Sequence, residues 1–482
     1  MNRLKVGLVG MYYPNFAAEE YGVYPQAVAG LEALSAEWGF ELVAMQAGIQ
    51  TVEQAEAAQR ELEDAAVDLI LVQVSSFALG ELLIPFARMS LPLGLWGVPE
   101  PSLEGVLPLN SLTALNMFAS ILRVHLPDRE TPFKWFYGQA EDARFRRRLH
   151  LTVRALTALK RLRGTRIALV GEIAPSFYNL AYDAQRFEER LGVTIEQIPL
   201  REAFQRARSY DAGDVAALAE QLAPMADPAL ESKWITSSAS IALALRDLSD
   251  EAGSEAIALR CWPEFQTEME GIGPCAAVGW LNETGLPTSC EGDVVGAISM
   301  LALRHLSEAA TTMMDMVAVK DDTAIHLWHC GPTAPSLAGP EGARLVHHPT
   351  LDRDKPADSP RSGAAVDLRL ARGPATVMRF SGAADEAFLL SGDVVDGPSA
   401  GYAGSRGWIA NMRIAAEPAS VGDLLETMAY HGLPHHYPLA LGDWTAALLE
   451  LCAWLGIRTL PRIPYRDHLV RPADAFAGSP TP

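Results

Sequence analysis

The chain has 482 residues, 49% hydrophobic and 20% charged. That is a globular composition too long for one ordinary core, so two or three domains are expected. A formal charge of −20, from 39 basic against 59 acidic side chains, opposes the counterion release that drives proteins onto DNA or RNA, which excludes nucleic acid as an expected partner.

The opening MNRLKVGLVGM carries an apolar stretch far shorter than a membrane span and runs into MYYPNF without a small-residue cleavage site. It reads as a first strand, and the protein as unexported, cytoplasmic and free of membrane contact. Residues 4–10 are followed by a loop with Tyr12, Tyr13, Pro14 and Asn15, then by helical patterning over 23–38. The βα unit recurs: ELVAMQ at 41–46, a Glu/Ala-rich helix at 52–65, and apolar runs at 68–77 and 91–97 typical of buried parallel strands. GLVGMYY lacks the later glycines of a dinucleotide fingerprint, which discounts a nicotinamide cofactor.

A basic amphipathic stretch at 143–163 leads into a new β-run at 165–175, which places a boundary there. The second unit continues with a helix near 182–191, a strand at 193–199, helices near 212–224 and 239–251, and a strand at 255–262. From about 325 short β-like runs alternate with Gly, Pro and Asp, a spacing that predicts an antiparallel barrel or sandwich. A polar surface loop covers 349–364, and an apolar helix at 443–456 closes the core. The predicted fold is α/β: two tandem doubly wound, Rossmann- or flavodoxin-like domains (1–163 and 164–324) and a C-terminal β-barrel-like domain (325–482).

Five cysteines, Cys261, Cys275, Cys290, Cys330 and Cys452, include no CxxC pair. They suggest neither a disulfide framework nor a zinc ribbon and fit a reducing cytosol. The segment from Cys261 to Gly331 is the most informative. CWPEF at 261–265 follows a strand end, where open α/β sheets place ligand contacts. In SCEGDVVGAISMLALRHL, Glu291 and Asp293 stand at the start of an apolar helix, where acidic residues also serve simply to complement the dipole. Asp315 is isolated in an apolar strand-like run, so a cation or hydrogen bonds should compensate it. His329 ends a short apolar strand, and His435 and His436 occupy a turn-like stretch before the last helix. Adjacent histidines in a strand face opposite ways, so one of them could reach a site while the other packs or is solvated. Two carboxylates and two histidines suit a divalent ion such as Mn²⁺, Co²⁺ or Mg²⁺.

With these motifs in view, the chain resembles the L-fucose/L-arabinose isomerase superfamily. GIGPCAAVGWLNETGLPTSCEGDVVGAISML is similar to the arabinose-isomerase segment ending in E-G-D, which is E-N-D in the fucose branch. The resemblance implies that Glu291 is a metal ligand, that Asp315, 24 positions on, is the next, and that His329 and His436 complete the set. Asp293 and His435 would then support the ligands from behind. It further implies an aldose–ketose isomerase working through an ene-diol, with Glu291 and Asp315 as the acid–base pair. Trp262 and Glu264 would line the sugar pocket, and Tyr12, Tyr13 and Asn15 would be contributed by a neighbouring subunit of a homo-oligomer (trimer, tetramer or hexamer). Alternatives are a metal-dependent epimerase or aldolase on the same fold, or a sugar-binding module without chemistry.

Overall fold

Alternating apolar runs and amphipathic stretches fold the first part of the chain as a doubly wound layer. The computed structural model describes residues 3–126, 131–352 and 362–471, and the chain divides into two units, Met1–Lys160 and Arg161–Pro482. In the first, strands β1 (Lys5–Met11), β2 (Glu41–Ala44), β3 (Leu69–Val74), β4 (Leu93–Gly97) and β5 (Phe133–Tyr137) pair in parallel in the order β2-β1-β3-β4-β5. Every residue of β3 and β4 is buried. That is why these strands read as continuous apolar runs rather than alternating ones. The helix Val52–Asp64 begins at a capping box in which Thr51 and Gln54 satisfy each other's backbone donors.

The second unit opens with a smaller parallel sheet of β6 (Arg166–Val170), β7 (Thr194–Ile198), β8 (Ala256–Leu259) and β9 (Thr288–Ser289), ordered β7-β6-β8-β9. The expected helix at 239–251 is longer, Ser232–Ala252, because Trp234, Ile235 and Ser238 in its polar-looking start are buried. A helix at Leu200–Ser209 was not expected. Its five charged or amide side chains mask a narrow face of Ala203, Phe204 and Ala207.

The remaining strands are β10 (Thr312–Lys320), β11 (Ala324–His329), β12 (Arg344–His347), β13 (Ala364–Arg369), β14 (Gly373–Phe380), β15 (Glu386–Val395), β16 (Ser405–Ile414), β17 (Glu417–Pro418), β18 (His436–Leu441) and β19 (Arg458–Thr459). The pairs β16–β11, β11–β10, β10–β18, β18–β14, β14–β15 and β15–β16 are all antiparallel and close into a ring. The sheet as a whole is mixed, because β13 adds to β16 and β19 adds to β15 in parallel. Since β10 belongs to this ring, the barrel begins before residue 325. Part of the expected loop at 349–364, residues 353–361, lies outside the described residues. One apolar cluster joins Ala168, Ile257 and Leu259 of the parallel sheet to Val377, Leu390, Ile409 and Leu439 of the barrel. Among the described residues no helix is long and apolar enough to cross a membrane.

His305 lies in the last turn of the helix Val294–Ser307. Burial, reinforced by Arg161 and Arg304, holds its imidazole down at about 4. The unfolded chain takes up that proton below about 6.5 and the folded chain only near its lowered value, so stability falls as pH drops through that window. Unfolding free energies from urea titrations at pH 7, 6 and 5 should decline less steeply for His305→Gln, by about 2 kcal/mol over that range. Identical slopes for the two proteins would remove the assignment.

Candidate functional site

Just past β9 the chain turns sharply at the carboxyl edge of the parallel sheet, the edge where open α/β sheets bind ligands. Glu291 and Gly292 both take left-handed backbone conformations, φ 61° and 71°. The turn is pinned by Ala174 N–H to the Glu291 carbonyl and Gly292 N–H to the Leu259 carbonyl, each at 2.9 Å. A Cβ at position 292 would lie 2.3 Å from the Glu172 carbonyl oxygen, so only glycine fits the middle of E-G-D. Glu291 itself bears roughly 1–2 kcal/mol of backbone cost there.

Glu291 is therefore not a residue of the first helical turn, as the sequence suggested; the turn precedes the helix. Asp293 caps the helix Val294–Ser307 by accepting from Gly296 N–H at 2.8 Å. The capping and supporting readings of Asp293 turn out to be compatible. Its carboxylate also meets His436 Nδ1 at 3.0 Å and is gripped by both guanidinium nitrogens of Arg379 at 2.7 and 3.0 Å. Asp293 is fully buried and Arg379 nearly so. Burial pushes the Asp293 carboxyl upward, but Arg379 and His436 outweigh it and hold the group far below the usual carboxylate range.

The barrel supplies the other groups. Asp315 in β10 stands directly opposite His436, the first residue of β18 rather than part of a turn. His329 ends the neighbouring strand β11, and its ring centroid is 5.7 Å from that of His436. Candidate ligand atoms of Asp315, His329 and His436 lie within 4.8 Å of one another, as do those of Glu291, His435 and His436. His436 thus belongs to both trios. Its Nε2 is 3.4 Å from Glu291 Oε2. Because its Nδ1–H is committed to Asp293, the Nε2 lone pair faces the cluster.

The strand-alternation argument for the histidine pair fails. His435 lies one residue before β18, outside the pleat, and its Nε2 reaches Glu291 Oε2 at 3.1 Å. The amide of Asn179 meets its Nδ1 at 3.1 Å. Asn179 donating to Nδ1 leaves Nε2–H to donate to Glu291, so His435 orients the carboxylate. Burial pushes Glu291 up, and His435, His436 and His329 outweigh it to hold the carboxyl below its ordinary value. Burial likewise pushes His329 down, and Cys330, Asp315 and Glu291 raise it to about 9.

Two atoms test whether a cation suits the cluster. Asp315 Oδ1 and His329 Nε2 are buried with no hydrogen-bond partner, a state that costs about 1–3 kcal/mol per neutral group and more for a charged one. Both belong to the trio with His436, and a divalent ion bound by two carboxylates and two imidazoles would satisfy Asp315 Oδ1 directly and His329 Nε2 once it releases the proton that the Cys330 N–H contact at Nδ1, 2.9 Å, places on it. The residues fit such an ion.

The other sequence candidates are placed differently. Trp262 is 44% exposed and 6.1 Å from the ring of Phe177, which in turn lies 5.3 Å from His435. Glu264 is ion-paired through both oxygens to Arg260 and lines a separate cavity of about 570 Å³ with Gln197 and Arg201. Its carboxylate is already committed to Arg260. In the first unit, Tyr12 hydrogen-bonds Glu19 and Gln50, Tyr13 N–H meets Ser76 Oγ at 3.3 Å, and Asn15 is exposed in a turn. Sequence reasoning missed Arg379 and Asn179. A lone cation in the apolar run GPATVMRF was the available signal for Arg379; Asn179 had none.

No protein-family model matches the chain. A sulfoquinovose isomerase of Priestia aryabhattai is 28% identical over 421 residues, 85% of this chain and 89% of that protein. One from Alkalicoccus urumqiensis is 29% identical over 395 residues, 80% of this chain and 84% of that protein. An ABC-transporter solute-binding protein of Agrobacterium vitis with bound α-D-tagatopyranose covers 64% of this chain and 90% of its own at 14% identity, with a TM-score of 0.18, too low to bear on the fold. The chain is an enzyme of the isomerase class. The named homologues support, within that class, an aldose–ketose sugar isomerase.

Asp293→Asn should leave Arg379 buried without an anion. Chemical denaturation should register a loss of about 3–5 kcal/mol, and a loss below about 1 kcal/mol would show that the pair is not what holds this region.

Proposed function

We propose that the chain interconverts an aldose and a ketose through an ene-diol, with a divalent cation, Mn²⁺ or a related ion, held by Glu291, Asp315, His329 and His436. The observation that carries this reading is that two trios of potential ligands, Glu291 with His435 and His436 and Asp315 with His329 and His436, share His436, with two buried, partnerless ligand atoms in the second. Such an ion, when bound, polarises the sugar carbonyl and offsets the negative charge that develops beside it. Glu291 and Asp315 form the acid–base pair, one removing the proton from the carbon next to the carbonyl and the pair returning it to the neighbouring carbon. His435 fixes the orientation of Glu291, and Asp293 fixes the tautomer of His436. Trp262 and Phe177 present aromatic faces beside His435 to the sugar's C–H surface.

The proposed substrate is sulfoquinovose, the sugar for which the relatives are named. The resemblance of the E-G-D segment to fucose and arabinose isomerases supports the same chemistry and, with it, a cytoplasmic homo-oligomer. The decisive experiment strips the purified protein with a chelator, restores Mn²⁺, and follows sulfoquinovose by NMR for ketose formation. Restored turnover is expected, while Glu291→Gln should lose bound metal and on the order of 10²–10⁴-fold in turnover. Full metal content together with full turnover in that variant would defeat the site assignment. Turnover of other aldoses but not sulfoquinovose would defeat the substrate alone.

A further inference from the structure

Behind His329 lies a second convergence that the isomerase chemistry does not use. Cys275 is the first residue of the helix Cys275–Thr284, Cys330 directly follows β11, and His348 directly follows β12. Three separate segments thus bring two thiols and an imidazole together, with one candidate ligand atom from each inside a mutual 4.8 Å. Cys275 and His348 are buried, and Cys330 is partly exposed.

The spacing of the sulfurs is informative. Cys275 Sγ and Cys330 Sγ are 3.5 Å apart. Two thiolates on a tetrahedral ion at the usual zinc–sulfur length stand about 3.8 Å apart, whereas a disulfide needs about 2.05 Å. The observed separation is close to the edge of such a tetrahedron and far from a bond. His348 is held by contacts at Nδ1 with Thr350 N–H and Leu351 N–H at 3.3 Å and with Thr350 Oγ1 at 3.4 Å. Nδ1 accepts from these backbone N–H groups, so ligation through Nε2 requires the ring proton to move to Nδ1, where the Thr350 hydroxyl would accept it.

We propose that Cys275, Cys330 and His348 form a second cation site that takes Zn²⁺, with a fourth position open to water. Soft thiolates favour zinc over the harder ions suited to the carboxylate–histidine cluster, so the two sites sort metals by ligand chemistry. Each thiol releases its proton to solvent as zinc binds, and the ion fastens the helix Cys275–Thr284 to the ends of β11 and β12. Cys330 Sγ is also 3.2 Å from His329 Nδ1, so the two sites share a wall.

The test is a titration of the chelator-stripped, reduced full-length protein with Co²⁺ and then Zn²⁺. Co²⁺ added to saturate both sites should produce a near-ultraviolet thiolate charge-transfer band that Zn²⁺ abolishes, and Zn²⁺ should protect Cys275 and Cys330 from alkylation mapped by mass spectrometry. Cys275→Ser and His348→Gln should each weaken binding roughly tenfold or more, while Glu291→Gln keeps the band, which separates this site from the isomerase site. The protection measurement needs no variant, so misfolding of a mutant leaves the test intact. Absence of the band in the wild type, or equal alkylation with and without Zn²⁺, overturns the proposal. So does a protein isolated with the two sulfurs already joined and separable by reductant.

Discussion

The buried ion pair between Arg379 and Asp293 is the contact on which the second unit's geometry turns. Taking both charges out of water is expensive, and the cost is tolerable only because every lone pair of the carboxylate is used. Two guanidinium N–H groups, the Gly296 backbone N–H and His436 Nδ1 surround it. Those partners come from β14, from the helix behind the parallel sheet and from β18. The pair therefore registers the barrel against the α/β layer, and the same carboxylate aims His436 at Glu291. Helix capping, charge pairing and the aiming of a histidine meet in one side chain.

Much of this was legible in the sequence where burial writes a simple pattern. β3 and β4 are buried on both faces, so they appear as unbroken apolar runs. Asp315 stood out because a carboxylate in an apolar strand demands a partner, and its Oδ1 is indeed left without one. The E-G-D triplet was visible as a motif, but its physical reason was not. Only the backbone path shows that Gly292 is pressed against the Glu172 carbonyl and that Glu291 is left-handed.

What stayed hidden depends on pairing between segments far apart in the chain. No local rule places β18 between β10 and β14, so His436 looked like a turn residue, and the alternation rule misjudged His435 because that residue stops short of the pleat. Glu264 was attractive next to a strand end, yet a neighbouring arginine occupies both of its oxygens. The helix Leu200–Ser209 was obscured by its charged residues for the opposite reason: its apolar face is only one residue or two wide per turn.

The place of β18 in the ring has a temporal consequence. It is synthesised after both of its neighbours, β10 and β14, yet it is inserted between them. A ribosome-bound chain lacking it holds Glu291, Asp315 and His329 with no His436 to link them. The constellation is assembled only once β18 has emerged and paired, so these side chains stay unlinked through the earlier part of synthesis.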